Sequence, residues 1–199
     1  MNWRNYLKDG KLILPEGFNE ELNCSFNNLT ELILPKGFNS NLYCYNNKLT
    51  KLVLPSGFNS ELLCFHNKLT ELTLPKGFNR YLDCSYNSLI GLNLPKGFNS
   101  EFRCNNNELK ELILPKGFSC EGEIWCFNNN FTEIILPKGF NSILCCDDDE
   151  NLCKIQKCML KYNIDYYKAG YMIWQNLDLS KLPKLMAYIR NKRIEQILN

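Results

Sequence analysis

The stretch Leu12-Ile13-Leu14-Pro15-Glu16-Gly17-Phe18-Asn19-Glu20-Glu21-Leu22-Asn23-Cys24-Ser25-Phe26-Asn27-Asn28-Leu29-Thr30-Glu31-Leu32 decides the fold, because the chain repeats it. Its proline recurs at 35, 55, 75, 95, 115 and 137, its glycine two residues later each time, and its phenylalanine directly after the glycine. Seven in-register copies with a period of about twenty residues fill three quarters of the 199-residue chain. A period of that length defines a solenoid, in which each unit buries its apolar edge only against its neighbours. The reading divides the chain into an N-terminal cap over 1–11, seven repeats over 12–152 and a C-terminal segment over 153–199.

Within each copy the pattern Leu-x-Cys-x-x-Asn-x-Leu, as in Leu62 to Leu69, carries the physics. Leu22 and Cys24 alternate, so both point to the same side of a short strand. The pair recurs at 42/44, 62/64, 82/84 and 144/146, with Phe102 and Ile124 replacing leucine. Parallel stacking of these strands builds a sheet. The asparagines at 27, 47, 67, 87, 107 and 129 supply amides that both donate and accept, which buried turns require. Leu29, Leu32, Leu34 and Phe18 and their equivalents complete the core. Leu-Pro-x-Gly should run extended and then turn, with proline fixing one angle and glycine supplying a free one.

These residues resemble the leucine-rich repeat, whose signature is Leu-x-x-Leu-x-Leu-x-x-Asn/Cys-x-Leu. The resemblance covers about residues 12–152 and is nearest to the short, twenty-residue bacterial-effector type. Two departures are consistent: cysteine replaces an aliphatic strand residue, and Gly-Phe-Asn occupies the turn. The resemblance implies a leucine-rich-repeat solenoid with a parallel β-sheet on its concave side and extended or turn segments on its convex side. A helical C-terminal cap completes the expected architecture. Some effectors of this type carry a ubiquitin-ligase domain with a catalytic cysteine. Cys146-Asp147-Asp148 superficially matches that context, but Cys146 falls on the core ladder and the 49-residue tail is too short for such a domain.

Eleven cysteines invite a disulfide reading, but seven of them (24, 44, 64, 84, 104, 126, 146) share one inward register. A small apolar side chain is wanted there, and a reduced thiol serves. An odd count with no apolar signal stretch at the start points to a reducing cytoplasm, of the producing cell or of a host cell. No run approaches a membrane span. Net charge is +2 overall but uneven: 14 basic against 18 acidic residues over 1–150, then 9 against 3 over 151–199, that is −4 and +6.

Strand alternation places the variable positions outside. Tyr43, Leu63, Asp83, Arg103 and Trp125 lie between the inward pair. Tyr45, Phe65 and Phe127 follow it, then His66 and Tyr86, while Tyr81 precedes it. Exposed Tyr, Trp and Arg are typical interface anchors, so these eleven residues form the expected protein-binding surface. The rival surface is basic. Lysines follow the proline at 36, 76, 96, 116 and 138, and the expected C-terminal helix carries Lys184, Arg190, Lys192 and Arg193. That reading makes the chain a nucleic-acid-associated factor. Asp147 to Glu150 suits the start of a capping helix and lacks the alternating spacing of a calcium loop. The cysteines near it lack zinc spacing. His66, the one histidine, has no nucleophile motif around it, and Leu-Pro-Lys-Gly is not a phosphate loop. The expectation is a non-enzymatic, cofactor-free protein-binding module without a small-molecule substrate. It would act as an inhibitor or decoy, of the kind a phage, virus or pathogen encodes. One copy is two residues longer than its peers, between Phe118 and Trp125. It reads as a tolerated loop insertion, or as a bulge that re-aims the surface beside Trp125.

Overall fold

The computed structural model describes residues 2–137, 140 and 142–145. A 3-10 turn at Trp3–Tyr6 precedes β1 (Leu7–Lys8), β2 (Lys11–Ile13), β3 (Leu22–Asn23), β4 (Glu31–Ile33), β5 (Leu42–Tyr43), β6 (Leu62–Leu63), β7 (Leu82–Asp83), β8 (Phe102–Arg103), β9 (Glu111–Ile113), β10 (Glu123–Trp125), β11 (Glu133–Ile135) and β12 (Ile143–Cys145). Strands β3, β5, β6, β7, β8, β10 and β12 form one seven-stranded sheet in that order, and every pairing in it is parallel. A second side holds β2 paired with β4, an isolated Thr73–Asn93 bridge, and β9 paired with β11, all parallel. The protein is therefore a parallel β-solenoid with almost no helix among the described residues.

The coil closes the way its sequence dictates. Each Pro-x-Gly-Phe is a turn in which the Phe N–H donates to the Pro carbonyl, at 3.0 Å for Phe38, Phe58 and Phe78. Gly17, Gly77, Gly97 and Gly117 take φ between 81° and 85°, the left-handed third position that such a turn reserves for glycine. The turn drives its phenylalanine inward. Phe18, Phe38, Phe58, Phe78, Phe98, Phe118 and Phe140 stack in one buried file with ring centroids 6.0–6.2 Å apart. Leu22, Leu42, Leu62 and Leu82, with Phe102 and Ile124, fill the strand side, fully buried with Cys24, Cys44, Cys64, Cys84, Cys104 and Cys126. The expected core is present with one refinement: Leu34, Leu54 and Leu94 are only partly buried, whereas Leu14, Leu74 and Leu114 are buried.

Two asparagine files lock coil to coil. Asn67 donates its amide to the carbonyls of Cys44 and Cys64 at 3.0 and 3.1 Å, and its oxygen accepts from the Leu49 N–H at 3.0 Å. Asn47, Asn87, Asn107 and Asn129 repeat this bridge. The second file is Asn19, Asn39, Asn59, Asn79 and Asn99, each accepting from the backbone N–H one coil on. The front of the stack is closed by Trp3, buried at 8% exposure, and by the antiparallel pairing of β1 with β2. The insertion is absorbed before β10, since Ile124 still pairs with Phe102 and Trp125 with Arg103. Cys146, the acidic run after it and the helical segment expected over 153–199 lie outside the described residues.

Candidate functional site

The outer surface of the seven-stranded sheet gathers most of the residues singled out from the sequence. Tyr43, Tyr45, Leu63, Phe65, Tyr81, Arg103, Trp125 and Phe127 are all half-buried there, and His66 and Tyr86 are exposed. They form two clusters. In the first, rings run without a break through four coils. Phe26 meets Tyr45 edge-on at 5.4 Å, Tyr45 stacks on Phe65 at 4.4 Å, Phe65 meets His66 at 5.7 Å, and His66 stacks on Tyr86 at 4.1 Å. Parallel stacking causes the Tyr45–Phe65 and His66–Tyr86 contacts, since side chains at the same register of neighbouring coils stand about 4.8 Å apart, and the edge-on contacts of Phe26 with Tyr45 and of Phe65 with His66 join the two adjacent columns.

The second cluster is built around Arg103. Its guanidinium carbon lies 4.5 Å from the Trp125 ring centroid and 6.0 Å from that of Tyr81. Such cation–π contacts hold a guanidinium in place. Glu101 stands 4.0 Å away, and Glu123 accepts from the indole N–H of Trp125 at 2.7 Å. The Tyr81 phenol is pushed up to about 12, first by burial and then by Asp83. Phe127 tilts against Trp125 at 5.9 Å.

Asp83 corrects the reading of the sequence. It was expected to face a partner, yet it is only 7% exposed. Its carboxylate accepts from the Ser85 backbone N–H at 3.0 Å and from the Ser85 hydroxyl. Its strand neighbours Leu63 and Arg103 flank it in register, and a short side chain between two long ones is overshadowed. Asp83 supports the surface from beneath.

One feature of the site was not foreseen. The residue two after each cysteine adopts the left-handed backbone: Phe26, Asn46, His66, Tyr86, Asn106 and Asn128 have φ of 50–58°. Asparagine and histidine tolerate that conformation; the rings of Phe26 and Tyr86 adopt it at a cost of roughly 1–2 kcal/mol each. Phe26 and Tyr86 are thus strained, and strained residues cluster at functional surfaces. The asparagines at 46, 106 and 128 were the available signal. Beside this column lies an open groove of ≈ 490 Å³ whose walls include Phe26, Asn46, Lys48, His66, Lys68 and Tyr86. The rings are therefore bordered by Lys48 and Lys68 on one side and by Glu21, Glu61, Glu101 and Glu123 on the other.

The thiols facing away from this surface are inert. Cys24, Cys44, Cys64, Cys84, Cys104 and Cys120 are free and buried. Burial pushes the Cys24 thiol up to about 12 and those of Cys44, Cys64, Cys84 and Cys104 well above the ordinary value. Among the described residues no group of three or more His, Cys, Asp or Glu side chains is placed to hold a metal ion, and no helix is long and apolar enough to cross a membrane. The lysines that follow the proline, 36, 76, 96 and 116, are exposed singly, one per coil, with Ser56 interrupting them. Lys184, Arg190, Lys192 and Arg193 lie outside the described residues.

Comparison with known proteins returns no matching family model, no matching curated protein and no matching solved structure. What defines the molecule is its architecture, a parallel β-solenoid of stacked, roughly twenty-residue coils.

Proposed function

We propose that this chain is a leucine-rich-repeat solenoid of the short type that acts as a non-enzymatic protein-binding module. The aromatic surface of its seven-stranded sheet serves as the concave recognition face. The observation that carries the reading is the unbroken file Phe26–Tyr45–Phe65–His66–Tyr86 on the outer surface of the sheet. The core is already filled by the separate buried Phe file, so these rings are left to the surface. Large, rigid, half-exposed aromatics around a ring-held arginine are the composition of binding hot spots. With a surface of this kind, the chain would act by occupying or sequestering its partner in the cytoplasm, as an inhibitor or decoy does.

The experiment is capture of a partner from the source cells by the wild-type chain, followed by affinity measurement for Tyr45→Ala, Phe65→Ala and Trp125→Ala combined. Loss of about 100-fold or more in affinity is expected, since two or three hot-spot truncations each remove on the order of 2 kcal/mol. Unchanged affinity with an intact circular dichroism spectrum would refute the assignment of this face. The same titration separates the nucleic-acid reading, in which the convex lysines and the basic C-terminal segment contact phosphates. That mode predicts a steep linear fall of log affinity with log salt, whereas an aromatic interface predicts a shallow one.

A further inference from the structure

The second side of the solenoid carries a surface that the aromatic face does not use. Of the large hydrophobic residues left exposed, four belong to one column of this side: Ile13 at 51%, Ile33 at 43%, Val53 at 62% and Ile113 at 46%. Thr73 and Asn93 continue the column, exposed, and Ile135 ends it half-buried. Alternation along Leu-x-Leu forces these β-branched residues outward, because the flanking leucines take the core. Two residues earlier runs a charged column. Lys8 pairs in register with Lys11, Lys11 with Glu31, and Glu111 with Glu133; the repeat places Lys51, Glu71 and Gly91 between them. Read from front to back this column is Lys8, Lys11, Glu31, Lys51, Glu71, Gly91, Glu111, Glu133. Its front half carries Lys8, Lys11 and Lys51, with Glu31 held by Lys11 in an ion pair at 2.8 Å, and its back half carries Glu71, Glu111 and Glu133 around the neutral Gly91.

We infer that this side binds a second copy of the same chain, with the two solenoids antiparallel. The two-fold axis runs along the strand direction, midway between the coils of Val53 and Thr73. That operation preserves position along the strand and reverses the order of coils. It therefore sets Lys51 against Glu71, Lys11 against Glu111 and Lys8 against Glu133 of the second copy, and each pairing occurs twice by symmetry. Glu31 meets Gly91, so no carboxylate faces another. In the aliphatic column Ile13 meets Ile113, Val53 meets Thr73 and Ile33 meets Asn93. Sliding one copy by a single coil in one direction opposes Lys51 to its own equivalent and Glu31 to Glu71. Sliding it in the other direction opposes Glu71 to its own equivalent and Glu31 to Glu111. Like charges thus penalise both neighbouring registers, which is how an interface specifies one alignment. Eight positions about 4.8 Å apart and strands of three residues give a footprint of roughly 400 Å² per copy. That lies below the standard interface size, so the dimer dissociates on dilution.

Sedimentation velocity on the full chain, in reductant and at 50 mM salt, should show a concentration-dependent shift from 23.3 kDa to twice that mass. Lys51→Glu and Glu71→Lys each place like charges together twice, and each alone should weaken self-association by about tenfold or more. Mixing the two variants restores Lys–Glu pairing at both contacts and should restore the dimer to near wild-type strength. Both substitutions are on exposed side chains, so folding is not at risk, and the mixture controls for it. Val53→Asp should weaken the dimer as strongly as either reversal. A wild-type chain that stays monomeric at several hundred micromolar overturns the inference. So does a dimer indifferent to Lys51→Glu and Glu71→Lys, or a mixture no stronger than its components.

Discussion

Stability should collapse as the pH rises above about 9. Five stacked thiols, at Cys24, Cys44, Cys64, Cys84 and Cys104, are held protonated by burial well beyond the point where a cysteine in an unfolded chain ionises. Between those limits the folded state keeps protons that the unfolded state has released, so each unit of pH favours unfolding. The stabilisation is complete below the unfolded thiol value and is lost on the way up toward the folded one. Each such thiol contributes about 1.4 kcal/mol per pH unit, and five give up to about 7 kcal/mol per unit. That exceeds half of a typical domain's total stability within one unit. Urea unfolding in reductant at intervals from pH 7 to 10.5 should show the midpoint falling steeply above pH 9. Cys64→Ala should lower stability at pH 7 by about 1–2 kcal/mol for its small cavity, and should flatten the alkaline slope by one proton. A flat profile to pH 10.5 would mean that the thiols are not sealed inside.

Truncating one rung of the inner asparagine file should be the most damaging single change to a polar residue. Asn87 donates to the carbonyls of Cys64, Cys84 and Ser85, each at 3.1 Å, and accepts from the Leu69 N–H at 2.9 Å. Those carbonyls keep other donors in part, since Asn67 also reaches Cys64 and Asn107 also reaches Cys84. The Leu69 amide belongs to a fully buried residue and would lose the partner it has in this file. An orphaned buried donor and the lost bridge together cost about 3 kcal/mol. Asn87→Asp, although isosteric, should cost at least as much at pH 7, because a carboxylate would face three carbonyls and donate to none. Asn99→Ala, on the more exposed outer file, should cost about 1 kcal/mol. Urea midpoints for the three variants check this order.

The repeat was legible because every coil solves the same packing problem. Leu22, Cys24, Asn27 and Phe18 recur with few exceptions, such as Phe102 and Ile124 in the leucine column, and side chains that recur in this way are those whose surroundings recur too. The inner asparagine file could be read from its column alone. The outer file, beginning at Asn19 and Asn39, was equally regular, but an exposed turn leaves asparagine several uses and the column does not choose among them. The outward columns were placed correctly as a set and not always one by one. Asp83 sinks because of what stands beside it, Leu63 and Arg103, each twenty residues away in the chain. The left-handed column could have been found, since Asn46, Asn106 and Asn128 mark a position that Phe26, His66 and Tyr86 then share. The aliphatic column at Ile13, Ile33 and Val53 lies between the Leu columns that the sequence reading assigns to the core, and alternation along Leu-x-Leu turns it outward.

Hydroxyl-radical footprinting of the chain with and without its captured partner tests the central claim most directly. In the unbound protein Tyr45, Phe65, Tyr86 and Trp125 should react, while Phe38, Phe58 and Phe78 stay protected. With partner bound, those four reactive rings should be shielded together. Shielding that falls instead on the convex lysine side, with Tyr45, Phe65 and Trp125 as reactive as before, would contradict the account.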